Sequence, residues 1–564
     1  MAAERESSAP KLASEGKGDW RRFAFPATLA LVCGALYLWR LGVTPLEDFD
    51  EAYYAAGARE MLARGNLGTP YFNGQPFLLK PILVYWIIAG AFRLLGPTEF
   101  AARAGSAFLG TLIVLMTYWF GARTLGRRAG FLAGLALGLC YMWVDIGRDA
   151  SIDIPLTAAL TPAVFLLFLA TQAPRDRKRR LYLGVYPLLG VALLAKGPVP
   201  VGVVAVGVLA YLAAARRLWA TLRQGQVLLG LALTLAVAGP WYWYELRHQP
   251  AFFATFFVGE HFGHIQGELA RRTPAWGNLW YLLVYFYPWA AFLPAAVLHA
   301  FRQEDRGHVL RLAAWWTLAV AALFTIPKSK LAHYLAPGFP AAALLVGAWL
   351  DAWLKGQRVS RAGTVVGLGL VAVWGLACAA AAGLLAVMPQ WAEERLSHQF
   401  GDWRPGWSAV AVLGALAVGS LAAAAAGAVG KRGAAVVALC GAMAVAAVAH
   451  VGWFAPHRAE IQAQPRRELA RVLARALPAD ERLGVYYAKR NATVFYFGRP
   501  IVDLGERGEE FPGVVRFLSS PRPSAVLTHR RFAERLEALI PGTRVIAERG
   551  DYVAVANEPV ERSW

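Results

Sequence analysis

Apolar positions gather along the chain into long unbroken stretches, of a length that suits helices crossing lipid rather than helices lying on a soluble core. They run over 23–39, 101–122, 129–147, 153–171, 181–195, 198–215, 227–244, 278–300, 309–326, 333–354, 364–388, 408–428 and 433–454. A bilayer's hydrocarbon is about 30 Å thick and takes roughly 20 helical residues to cross, so about thirteen membrane spans are expected. A fourteenth apolar stretch, Pro81 to Leu95, is short, follows Lys80 and contains Arg93. It is read as an interfacial or half-inserted helix on the outer face. After Pro456 the pattern changes. Short apolar runs (Leu483 to Tyr487, Ala525 to Leu527, Val545 to Ala547, Tyr552 to Ala556) alternate with helical patterns over Arg466 to Ala476 and Arg531 to Ile540. That alternation predicts a small α/β domain.

Composition agrees with a membrane protein. Of the 564 residues 57% are hydrophobic and 17% charged, against about 45–50% and about 25% in soluble domains. A soluble enzyme is excluded. Cys33, Cys140, Cys378 and Cys440 lie singly in apolar runs and are expected to pack as small core residues. No small-x-small cleavage site follows the stretch from Phe23 to Trp39, so that stretch reads as an uncleaved signal anchor.

The net charge of +20 would suit a nucleic-acid partner if the basic residues shared one soluble face. They are distributed instead by topology. With thirteen spans and a cytoplasmic N-terminus, the cytoplasmic segments are 1–22, 123–128, 172–180, 216–226, 301–311, 355–363 and 429–433. They hold 24 basic and 7 acidic residues, whereas the rest of the chain to residue 455 holds 15 and 16. This is the bias expected of cytoplasmic loops, and a fourteenth span would reverse every later loop. The expected organisation is a cytoplasmic basic tail over 1–22, a transmembrane catalytic domain over 23–455 with its first outer loop at 41–100, and an extracytoplasmic α/β domain over 457–564. No nucleic-acid partner is expected.

Span centres hold almost no ionisable residue. Arg40, Arg103, Asp145 and Asp351 lie at span ends, where snorkelling explains them. A transporter or lipid flippase would place such groups at mid-membrane, and a scaffold would not cluster carboxylates and lysines in outer loops. Here they do cluster: Glu47, Asp48, Asp50 and Glu51; Lys80; Arg148, Asp149 and Asp153; Lys196; Glu245, Glu260, His261 and His264; Lys328, Lys330, His333 and Tyr334. Such a set suits a membrane-surface pocket that needs a base and cations for phosphate. Within the first loop, Asp50 opens a helical stretch that Gly65-Asn66 can end, and capping by Asp50 with Glu51 in the first turn would be a purely structural use of the pair.

Seven motifs in order, D-F-D-E-A-Y-Y with A-R-E-M, Y-F-N-G-Q-P-F-L-L-K-P, R-D-A-S-I-D, L-A-K-G-P, P-W-Y, F-F-V-G-E-H-F and S-K-L-A-H-Y-L-A-P, resemble the signatures of the aminoarabinose-transferase type of polyprenyl-phosphate-dependent glycosyltransferase. The resemblance runs from about residue 20 to 350. It implies the C-type glycosyltransferase architecture, related to protein O-mannosyltransferases. It also implies an inverting transfer of sugar from an undecaprenyl-phosphate-type donor to a lipid, glycan or protein acceptor, on the outer face of a bacterial cytoplasmic membrane. By resemblance Asp50 is the catalytic carboxylate and Glu51 its acidic neighbour. Lys80, Lys196, Lys330 and Tyr334 would hold the donor phosphate, and Tyr53, Tyr54, Asp153, His261 and His264 would line the pocket.

Three positions depart from the family pattern: Leu79 replaces the glutamate that accompanies a metal, Gln266 replaces an arginine, and Tyr53 replaces an arginine before Tyr54. No metal or cofactor is therefore assigned, with a divalent cation at His261 and His264 as the alternative. A protein O-mannosyltransferase is the alternative enzyme, although a His-Pro-Pro element is expected there where this chain has Lys80-Pro81-Ile82.

Overall fold

A computed structural model describes residues 21–47, 50–260, 274, 276–303, 307–326, 330–388, 407–478, 481–505, 510–522 and 524–557. The described residues begin with helix α1 (Arg21–Leu38) and enter the first loop, which carries α2 (Asp50–Arg64), an antiparallel ribbon of β1 (Tyr71–Phe72) and β2 (Gln75–Pro76), and α3 (Leu83–Leu95). There follow α4 (Glu99–Thr124), α5 (Arg127–Leu139), α6 (Tyr141–Ile146), α7 (Asp153–Gln172) and α8 (Arg175–Lys196).

Seven described helices are long and apolar enough to cross a membrane, among them Glu99–Thr124, Asp153–Gln172 and Ala332–Leu354. Two helix pairs bent by 117° and 113°, Val199–Ala214 with Leu218–Gln224 and Gly277–Tyr285 with Trp289–Arg302, bring the number to nine if each is one span. Three shorter apolar helices, Phe23–Leu38, Leu83–Leu95 and Gly307–Leu323, accompany them. The stretch expected as one span over 278–300 is thus broken. Pro288 stands in the break, where it supplies no amide to a continuing helix.

Two of the charged residues expected to snorkel do not. Arg103 is 4% and Asp351 5% exposed, and each is paired within the protein. Asp351 meets Arg128 and Lys355, while Arg103 meets Glu51. A buried charge is tolerated when it is paired and hydrogen-bonded.

Helix α2 approaches its neighbours closely because its inward face is small: Ala52, Ala55, Ala56, Gly57 and Ala58 are buried. A Cβ at Gly57 would lie 2.7 Å from the Tyr85 ring. Glycine therefore sets how near α2 lies to α3, and it lets Tyr54 meet Tyr85 edge-on at 5.6 Å.

The C-terminal region forms a five-stranded sheet in the order β4-β3-β5-β7-β6, from β3 (Arg482–Val485), β4 (Val502–Asp503), β5 (Ser524–His529), β6 (Arg544–Arg549) and β7 (Tyr552–Ala556). β3 runs parallel to β4 and β5, with Leu483 opposite Ala525; β7 is antiparallel to β5 and β6. Central β5 is buried along Ala525, Val526 and Leu527, which is why it reads as an unbroken apolar run.

This unit packs on the first loop. Leu46 N donates to Tyr496 Oη (2.7 Å), Asn73 exchanges two hydrogen bonds with the backbone of Ile501 (2.9 and 2.6 Å), and Arg59 donates to the carbonyls of Val494 and Phe495. Glu99 accepts from Arg467 (3.2 Å) and Arg471 (2.8 Å). One apolar cluster joins the two, with Leu46, Ala52, Met61 and Ile88 beside Leu469, Phe495 and Leu527.

Candidate active site

The acidic pair that opens α2 is divided in its surroundings. Glu51 is 2% exposed and accepts from Arg103 Nε (2.6 Å), Arg103 Nη2 (2.7 Å), Glu47 N (2.7 Å) and Ala150 N (3.2 Å). Arg103 turns its remaining hydrogens to the carbonyls of Leu41, Thr44 and Pro45 and the Thr44 hydroxyl. Burial alone would raise the Glu51 carboxyl, but the Arg103 charge and its hydrogen bonds outweigh burial and hold it below its usual value. Asp50, one residue earlier, is exposed. It faces Lys80, Tyr54, Tyr85, His333 and Tyr334.

Opposite Asp50 stand groups from three other elements. Asp153 is the first residue of α7 and Lys196 the last of α8, so the antiparallel pairing of these helices brings them together. Lys196 Nζ donates to Asp153 Oδ1, His333 Nε2 lies 3.8 Å from Oδ2, and the Lys196 ammonium sits 4.4 Å from the centre of the Tyr334 ring. Lys80 is ion-paired with Glu260. Burial lowers its pKa to about 8; Asp50 opposes that shift, Lys196 adds to it, and Asp153 opposes it. Asp50, Lys80, Asp153, Lys196 and Tyr334 therefore share one cluster.

The other expected residues are placed differently. Lys330 is buried shortly before His333, and its carbonyl accepts from Tyr281 (3.4 Å). Tyr54 is buried against Tyr85. Tyr53 stacks on Phe77 (4.9 Å, 20°) and faces Arg490 of the C-terminal unit. His261, His264, Gln266 and Lys328 lie outside the described residues, as does Asp48. Among the described residues no three His, Cys, Asp or Glu side chains converge as a metal-binding group.

Two participants were not singled out from sequence. Glu260 was one polar residue among many, and its pairing with Lys80 across 180 positions leaves no local signal. Arg103 had one: it is a basic residue at the outer end of an expected span, against the charge bias.

An apolar cavity of about 550 Å³ is lined by Leu282, Val320, Leu335, Phe339 and others. Leu335 directly follows Tyr334. Its polar lining residues are Asn278, Thr317 and Thr325, and Asn278 Nδ2 donates to Thr325 Oγ1 at 3.0 Å.

Comparison with known proteins defines the class first. The structure superposes on the crystal structure of ArnT from Cupriavidus metallidurans bound to undecaprenyl phosphate with a TM-score of 0.77, at 21% identity, over 95% of this chain and 97% of that one. This is a multi-pass membrane protein of the C-type glycosyltransferase fold. Residues 79–244 also match the family described as dolichyl-phosphate-mannose-protein mannosyltransferase.

The sequence is 32% identical over 387 residues to the undecaprenyl phosphate-alpha-4-amino-4-deoxy-L-arabinose arabinosyl transferase of Aeromonas salmonicida, covering 67% of this chain and 68% of that one. It is 31% identical over 313 residues to the Erwinia tasmaniensis protein of the same description, where it spans 56% of the relative's length. The chain belongs to this arabinosyl transferase family.

Proposed function

We propose that the protein is a membrane glycosyltransferase that moves a sugar from a polyprenyl-phosphate donor, of the undecaprenyl-phosphate type, to a lipid, glycan or protein acceptor on the outer face of the cytoplasmic membrane. The observation that carries this reading is the convergence of an exposed carboxylate, Asp50, with two lysines from distant parts of the chain, Lys80 and Lys196. A carboxylate suits proton removal from an acceptor hydroxyl or the orientation of an acceptor phosphate. Ammonium groups suit the charge that develops on a departing phosphate, and the cavity suits a prenyl tail.

In the transfer, the acceptor oxygen forms a bond to the anomeric carbon as that carbon's bond to the phosphate oxygen breaks. Asp50 takes the acceptor proton when the acceptor is a hydroxyl, and the electron pair leaves with the polyprenyl phosphate toward Lys80. One displacement inverts the anomeric centre. Asp153 and Tyr334 orient Lys196 beside the phosphate, Lys330 adds positive charge, and Tyr53 and Tyr54 shape the pocket wall. Glu51 holds Asp50 in place. The likeness to ArnT, whose structure contains undecaprenyl phosphate, and to the arabinosyl transferases supports this donor class.

In this reading the chain crosses the membrane thirteen times. The N-terminus is cytoplasmic, α3 lies in the outer interface, and the α/β unit over 457–564 is extracytoplasmic. Labelling of Ala538→Cys in intact cells by a membrane-impermeant maleimide tests the topology, and labelling only after lysis overturns it. The activity is tested by mass spectrometry of lipid, glycan and protein fractions from a deletion strain. Loss of one sugar modification, restored by the wild-type gene and not by Asp50→Asn, is expected. The match of residues 79–244 to the mannosyltransferase family favours a second reading for the acceptor, a protein hydroxyl, and the same fractions distinguish it.

A further inference from the structure

The C-terminal α/β unit is wound in two directions. The chain leaves β3 through helix Arg490–Phe497 to reach β4 on one side, and returns through helix Phe511–Leu518 to β5 on the other. The two helices lie on opposite faces of the sheet. Leu483, Val485, Ala525 and Leu527 share a cluster with Val494 and Phe495, while Tyr486 and Val526 share another with Phe511, Val514 and Phe517. Right-handed crossovers that set off in opposite directions give that arrangement. The gap between β3 and β5 is therefore a topological switch point, and open α/β sheets bind ligands outside the carboxyl ends of their strands at such a point.

Two features mark that edge. Tyr487, two residues past β3, has a φ of 53°, a left-handed conformation that is strained for a bulky residue and concentrates at ligand sites. Its amide donates to the Gly505 carbonyl at 2.9 Å, and its side chain is exposed. Just past β5, the Arg531 guanidinium lies 4.0 Å over the Tyr487 ring and 4.8 Å over the Phe532 ring, and Arg535 lies 4.4 Å over Phe511. Among the described residues neither arginine has an ion-pair partner. Arg530 beside them is taken by Glu548, and Glu510 stands in the same neighbourhood, acting with both arginines on Tyr486.

We infer that this edge is a binding site for a sugar phosphate, held at its phosphate by Arg531 and Arg535 and at its ring by Tyr487. A guanidinium laid on a ring keeps its N–H edge for the oxygens of an anion, which it meets as a planar fork. Two such groups suit a phosphate monoester, whose charge near neutral pH is about −1.5 to −2. The face of an exposed aromatic ring is apolar and carries partial negative charge, and so accepts the C–H face of a sugar. The site shares no residue with the cluster around Lys80 and does not depend on the role given to that lysine.

The test is calorimetric titration of the full chain in lipid nanodiscs with glucose 1-phosphate, glucose, inorganic phosphate and adenosine monophosphate. Glucose 1-phosphate is expected to bind about ten-fold more tightly than glucose or inorganic phosphate, each of which offers half of the contacts. Arg531→Gln and Tyr487→Ala are each expected to weaken it about ten-fold, and Arg531→Lys should not restore it, because an ammonium has no planar fork. Tyr487→Gly, which relieves the left-handed backbone while removing the ring, should bind as weakly as Tyr487→Ala with an unfolding temperature no lower than wild type. Lys80→Met should leave this binding in place. Wild-type affinity in both Arg531→Gln and Tyr487→Gly overturns the site, as does binding lost in Lys80→Met alone. Inorganic phosphate bound as tightly as glucose 1-phosphate, or adenosine monophosphate bound more tightly, overturns the sugar as its ligand.

Discussion

Arg103 grips Glu51 with both prongs of its guanidinium, Nε to Oε1 at 2.6 Å and Nη2 to Oε2 at 2.7 Å, although 52 positions separate them. The same guanidinium binds three carbonyls of the strap that leads from α1 into the loop. One side chain thereby ties the start of α4, the first turn of α2 and the connecting strap into a single block. Asp50 rides on that block, so its direction is set by its neighbour's ion pair.

Breaking one side of a buried pair leaves a stranded charge and costs about 3–5 kcal/mol. Arg103→Met is therefore expected to lower the unfolding temperature and sugar transfer together. Arg103→Lys should rescue neither, because an ammonium cannot bond both oxygens in a planar fork. Wild-type unfolding temperature and activity in Arg103→Met would remove the clamp from the account.

Asp50 is exposed, and its amide replacement disturbs no packing. Asp50→Asn is expected to reduce transfer by about 10²–10⁴-fold, the contribution typical of a positioned proton acceptor, with membrane insertion and unfolding temperature unchanged. Full activity in a reconstituted assay sinks the assignment.

The pKa of Lys80, lowered by burial to about 8, gives a pH dependence with a definite sign. The ammonium is present below about pH 8 and lost above it, so the donor KM is expected to rise as pH climbs past 8, by up to about ten-fold per unit. Lys80→Arg keeps its charge throughout this range and should flatten the alkaline limb, even if its overall rate is lower. An alkaline limb that persists unchanged in Lys80→Arg assigns it to another group.

Gly57 faces Tyr85 with no room for a methyl group, the ideal Cβ lying 2.7 Å from the ring. Gly57→Ala is expected to push α2 from α3 at about 1–3 kcal/mol, the usual cost of overpacking. Activity should fall because Asp50 moves with the helix. A thermal melt and a rate measurement on the same preparation check both.

Asn73 bonds the backbone of Ile501 in both directions. Asn73→Ala leaves an amide and a carbonyl without these partners, at about 1–3 kcal/mol for each buried group, and should loosen the C-terminal unit from the first loop. Faster limited proteolysis within 457–557 is the expected signature.

What could be read from the sequence follows from range. Periodicity and caps are local, so α2 ends at Arg64 beside Gly65 with φ +64° as its closing Gly-Asn predicts, and β7 covers Tyr552–Ala556 as its apolar run predicts. The parallel edge strand Val502–Asp503 is two residues long, and helices Arg490–Phe497 and Phe511–Leu518 have eight each; none shows enough of a period to be seen. Motif order singled out Asp50, Lys80, Asp153, Lys196 and Tyr334. The partners of Glu51 and Lys80 could not be read that way, because a salt bridge across 52 or 180 positions is decided by packing. The expectation for Arg103 and Asp351 erred for the same reason: a span-end charge snorkels only if no carboxylate or cation waits for it inside.

The hydrogen bond from Leu46 to Tyr496 spans 450 positions, and the apolar cluster around α2 is completed by Leu469, Phe495 and Leu527. Those residues leave the ribosome after every span has been made. During synthesis the first loop therefore waits with its greasy face uncovered while the rest of the chain inserts. The first loop matures last, when the two distant parts of the polypeptide clasp. A nascent chain halted after the final span would own every residue of the cluster and still lack the surface that holds Asp50 in position.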